Sequence, residues 1–136
     1  MRLSDAIRVG CKLSPFQQIG AYVSNMGLSA CVLGAAYMAI EIDTMSRLNP
    51  RDIMLLLVAT FPILETTSAC PSCRPIRSHR HAAQYFASIG DDSLLAVLGH
   101  LNDKHRWTRE RIADWVETVE DRMADEAGDL QAAEAH

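Results

Sequence analysis

Two thiols in Cys70-Pro71-Ser72-Cys73 are followed, after the 26 residues 74–99, by two imidazoles in His100-Leu101-Asn102-Asp103-Lys104-His105. A C-x2-C turn aims both sulfurs at one point, and an H-x4-H pair falls within the spacing seen in structural zinc sites. If the four share an ion, the interval between them must return on itself, which restricts the topologies open to the chain. The expected result is a closed Cys2His2 zinc site at Cys70, Cys73, His100 and His105, structural in character because no coordination position is left for water. A compact zinc finger separates its pairs by about a dozen residues, so here a helix must be inserted between knuckle and histidines. His79 and His81 are rival ligands nearer in sequence, able to replace His100 or His105. The later pair is preferred because it sits where one helix ends before the next cap.

Other readings of the thiols stay open: a reduced, unbound pair, or a thioredoxin-like redox pair. The second expects a βαβ setting. Cys11 and Cys31 read as small apolar core residues. No apolar run follows Arg2, so a cytoplasmic location is expected, where a disulfide framework is disfavoured. The charge-free stretch 13–40 is diluted by Pro15, Gln17, Gln18, Ser24 and Asn25, and its dense part, 28–40, is too short to span a bilayer.

The pattern elsewhere is helical. Leu3, Ile7 and Cys11 share a face behind a capping Ser4, and Ser14-Pro15-Phe16-Gln17 combines a cap, a first-turn proline and a glutamine at the third position. The run from Cys31 to Ile40 is apolar nearly all round and is expected at the centre, with Ala30, Gly34, Ala35 and Ala39 admitting a close neighbour. Asn49-Pro50 opens an apolar run over 53–61 that Pro62 cannot continue, and this run is equally consistent with a short strand. Further helices are expected over 80–88 and, capped by Asp91 or Asp92, over 93–101. Thr108 caps the last, whose Ile112, Trp115, Val116 and Val119 recur at helical spacing. Trp107 and Trp115 read as core anchors. With 136 residues, 49% of them apolar, the chain can bury a core without covalent staples. The expectation is a mainly α fold: a compact single-domain bundle of about six helices over 1–127, one irregular zinc-clipped segment over 63–78, and a frayed tail over 128–136.

Charge is distributed in blocks. The first 73 residues balance, 74–111 carry seven basic residues against four acids, and the last 25 carry Arg122 alone against eight acids. The middle block supports an alternative function, a nucleic-acid-binding regulator touching phosphates through Arg74, Arg77, Arg80, Lys104, Arg106 and Arg109. The bland alternative is two solvated helix faces of opposite sign. No glycine-flanked nucleophile, HExxH or phosphate loop occurs, so no enzyme, small-molecule substrate or membrane association is expected.

The segments Cys31-Val32-Leu33-Gly34-Ala35-Ala36, Cys70-Pro71-Ser72-Cys73 and the run from His100 to Glu117, HLNDKHRWTRERIADWVE, resemble in order a group of small uncharacterised bacterial and prophage-type proteins. The resemblance implies a phage-associated or accessory setting and no mechanism; His79 and His81 lie outside its pattern. The leading expectation is a non-catalytic protein-interaction module that meets an unidentified protein partner through its zinc loop and the acids Glu117, Glu120, Asp121, Asp125 and Glu126 of its last helix.

Overall fold

The computed structural model describes residues 1–20, 22–23, 29–40, 49–73 and 92–134. Over these the chain is mainly helical: α1 (Leu3–Leu13), α2 (Val32–Ile40), α3 (Pro50–Thr60), a 3-10 turn (Pro62–Glu65), α4 (Leu94–Asp103) and α5 (Arg109–Glu134). Five α-helices are thus seen among the described residues where about six were expected; the one expected over 80–88 lies outside them.

The apolar α2 is the centre, as its composition required. Val32, Leu33, Gly34, Ala35, Ala36, Tyr37 and Ala39 are all buried, with α1 as its most extensive partner and α3 and α4 on other sides. Close approach of α1 and α2 rests on Gly10, where an added methyl would overlap the Ala35 backbone carbonyl. Gly34 does the same for the Tyr22 carbonyl on another face of α2. The run 53–60 is helix and not strand: Asn49 accepts the Asp52 amide at 2.9 Å, Pro50 sits at the first position, and Ile53, Met54 and Leu57 are the buried residues of the helix, followed by the buried Phe61 at its end, a 3.6-residue pattern.

Three helix starts differ from the sequence reading. Ser4 does not cap α1: the helix begins at Leu3, whose amide donates to the Glu120 carboxylate at 3.1 Å, so α5 supplies the cap and Ser4 is buried inside the first turn. Ser14-Pro15 opens no helix. The Ser14 amide instead closes α1 on the Gly10 carbonyl at 2.8 Å, and Phe16–Gln17 (β1) pairs in parallel with Ser29–Ala30 (β2). The glutamine that would have completed a capping box is drawn off to Asn102 and the Trp107 carbonyl. Asp91 lies outside the described residues, and Ser93, not Asp92, caps α4, accepting the Ala96 amide at 3.2 Å. The reason is the antiparallel bridge Thr67↔Ser93, which keeps the backbone extended up to Ser93. At the other end α5 runs through Gly128 to Glu134.

Gly10 and Gly99 therefore respond oppositely to alanine. Gly10→Ala should destabilise by about 3 kcal/mol, since backbone on both helices must move apart. Gly99 lies within α4 with open space at its Cβ position, so Gly99→Ala should stabilise by about 0.5–1 kcal/mol. Urea unfolding of both variants checks the pair; equal effects would contradict the packing.

Candidate metal centre

Both halves of the centre are placed by backbone hydrogen bonds. After the 3-10 turn, the Ser68 amide donates to the Asp92 carbonyl and the Leu94 amide to the Thr66 carbonyl, both at 2.8 Å. This pairing ties 66–68 to the start of α4 and directs the irregular stretch Cys70–Cys73 alongside that helix. At its far end α4 closes loosely: the Lys104 and His105 amides both donate to the His100 carbonyl, at 2.9 and 3.3 Å, and the Trp107 amide reaches Leu101. Arg106 then turns the chain through the left-handed region at φ 53°, a conformation that costs a non-glycine residue of order 1 kcal/mol. The turn brings the His105 ring edge-on to His100, with centroids 4.6 Å apart and planes at 85°.

Four donor groups meet there. Cys73 Sγ lies 3.2 Å from His100 Nε2 and 3.3 Å from His105 Nε2. With Cys70, whose sulfur accepts the Ser72 amide at 3.4 Å, one donor atom from each of the four residues lies within 4.8 Å of every other. Cys70 is buried and the other three are half-buried. An ion holding sulfur at about 2.3 Å and nitrogen at about 2.0 Å in a tetrahedron separates the two donor types by about 3.5 Å. The observed sulfur–nitrogen distances sit just inside that edge, so the cluster has the composition and the size to hold a metal ion. The sequence pairing of the knuckle with His100 and His105 is therefore brought together in space. The rivals His79 and His81 lie outside the described residues, as do Arg74, Arg77 and Arg80.

The histidine turn is fixed to the rest of the fold by residues that the sequence reading passed over. Asn102, fully buried, accepts the Val32 amide and the Gln17 side-chain amide, both at 3.1 Å, and donates to the Gln18 carbonyl at 2.9 Å and the Asp103 carboxylate at 2.8 Å. Its signal was a polar residue on the apolar face that Leu94, Leu98 and Leu101 mark out. Arg109, one of the six basic residues of the nucleic-acid alternative, is the first residue of α5. It is 3% exposed and donates to the Ser14 and Ala30 carbonyls at 2.7 and 3.2 Å, joining the end of α1 and β2 to α5. Of the six basic residues named for nucleic acid, Lys104 and Arg106 are exposed among the described ones. Arg111 stacks its guanidinium 3.7 Å from the centroid of Trp107.

The acids expected to face a partner divide in two. Glu117 and Asp121 pair with Arg2 at 3.0 and 3.1 Å, Glu117 and Asp114 pair with Arg8 at 3.2 and 2.9 Å, and Glu120 caps α1. These hold α1 against α5. Asp125 and Glu126 remain exposed. No described helix is long and apolar enough to cross a membrane. No protein-family model, curated protein or solved structure matches the chain.

Away from the cluster, burial pushes the Cys31 thiol up from 9.0 to about 11, and the Cys11 thiol likewise to about 11. The folded state thus keeps protons that the unfolded chain releases first. Their contribution to stability is fully present below pH 9 and is lost as pH rises from there to about 11. The urea midpoint should fall over this window, and less steeply in Cys31→Ala; parallel profiles would show that Cys31 is not titrating as argued.

Proposed function

We propose that this chain is a non-catalytic zinc-binding helical protein that serves as a cytoplasmic protein-interaction module in a phage-associated or accessory setting. The observation that carries the metal assignment is the convergence of Cys70, Cys73, His100 and His105 within 4.8 Å. Two thiolates with two imidazoles in a tetrahedral arrangement suit zinc in softness and geometry. Four protein donors fill the tetrahedron, leaving no position for an activated water, and this supports a structural and not a catalytic role. The phage-associated setting is supported by sequence resemblance alone.

Protein purified without added metal should carry one zinc per chain. In native buffer its thiols should react slowly, two becoming reactive on chelation and all four on denaturation. Chelation should lower the thermal midpoint while leaving most of the helical signal, because the core is built elsewhere. Cys73→Ala should lose the ion and about 2 kcal/mol or more of stability, beyond the effect of Cys11→Ala. Absence of bound zinc, with Cys70 and Cys73 fast-reacting in untreated protein or cycling with dithiol reagents, overturns the assignment.

A further inference from the structure

The stripe of α5 that enters the core does not end where the core ends. Ile112, Val116, Val119, Met123, Ala127 and Leu130 fall on one helical face, within about 40° of a common direction at 100° per residue. Ile112 and Val116 are fully buried, Val119 is 4% exposed, and Met123 is half-buried. Beyond it Leu130 is 65% exposed, and every residue from 124 to 131 is exposed. The last contact that α1 makes by ion pair or cap is Arg2 with Asp121, so from Ala124 to Glu134 the helix projects about 16 Å past it. From 124 to 131 this extension has no buried face to stabilise it, so packing on a partner would favour it.

The charge beside this face selects the partner. Glu126 borders the apolar stripe and Asp129 lies further round the same side, with Asp125 behind. Unlike Glu117 and Asp121, none of these three forms an ion pair among the described residues. From 122 to the end of α5 four acids stand against Arg122. Two such tails laid together would set like charges side by side, which disfavours a second copy.

We propose that the projecting end of α5, through Met123, Ala127 and Leu130, docks an amphipathic helix of a partner protein that carries basic residues on one flank of its apolar seam. This rests on the interaction-module reading and names the partner's chemistry. The mode is helix against helix, with apolar anchors supplying affinity and the Glu126–Asp129 flank supplying orientation.

The test uses the zinc-analysed 136-residue chain and a labelled synthetic peptide of about 21 residues, three heptads, with a leucine seam and lysines on one flank. Controls are a peptide of the same composition in shuffled order and one with glutamates in place of lysines. Fluorescence anisotropy should show the ordered basic peptide binding at least tenfold tighter than either. Leu130→Gln, which preserves helix propensity, should weaken binding at least tenfold, and Glu126→Lys with Asp129→Lys should transfer the preference to the glutamate peptide. Equal binding of ordered and shuffled peptides means charge alone acts and overturns the proposal. So does indifference to Leu130→Gln, or concentration-dependent self-association abolished by Leu130→Gln without peptide binding. Failure to bind by protein that holds its zinc overturns the docking face and leaves the metal assignment standing; zinc-free protein that still binds the peptide does the reverse.

Discussion

A single buried amide, Asn102, holds together the parts on which the candidate centre depends. Its oxygen accepts the first amide of α2 and the Gln17 side chain, while its nitrogen reaches Gln18 and Asp103. The central helix, the strand pair and the end of α4 thus meet at one side chain whose hydrogen-bonding capacity is taken up. A buried polar group is stabilising only when satisfied in this way; losing one partner leaves the others with desolvation unrepaid. Because Asn102 lies between His100 and His105, the network that anchors it also fixes where the two rings stand. The centre inherits its geometry from the packing of the bundle.

Arg109 plays the matching part from the start of α5. A buried guanidinium with no carboxylate against it among the described residues would be costly, and two backbone carbonyls, of Ser14 and Ala30, offset part of that cost. These carbonyls belong to the residue that ends α1 and to the one that ends β2. Asn102 and Arg109 therefore do with side chains what a larger sheet would do with main chain: they satisfy a short irregular crossing between α1 and α2.

Much of this was legible in the sequence, for reasons that separate cleanly from what was not. Periodicity located α2, α4 and α5 because that signal is local, while a run as short as 53–61 stayed open between helix and strand; the ligand spacing picked out the four residues that converge. The misread starts share a different cause. Ser4, Ser14 and Asp92 each carry a valid local signal that a distant group overrides: the Glu120 carboxylate, the Asn102 side chain that draws away Gln17, and the Thr67↔Ser93 bridge. Segment charge is blind to individual partners in the same way. Net charge by segment could not reveal that Arg109 faces carbonyls, or that Asp114, Glu117 and Asp121 face Arg2 and Arg8 across the α1–α5 seam.

The place of the centre in the fold also shapes what an ion there would contribute. Linking residue 73 to residue 100 in an otherwise free chain closes a loop of about 27 residues, worth roughly 3.5 kcal/mol in unfolded-state entropy. In the folded chain the backbone itself closes that loop, because 66–68 pair with 92–94 and α4 spans the distance from there to His100, so an ion would meet its ligands without rearranging the native chain. An ion therefore adds its bonds to a junction the backbone has nearly made. Its local effect falls on the two short stretches that lack regular structure, 70–73 and 104–107. The first has few described backbone partners, and the second contains the left-handed Arg106. Coordination would hold both in place, giving the exposed Lys104 and Arg106 a fixed presentation that hydrophobic burial alone does not supply.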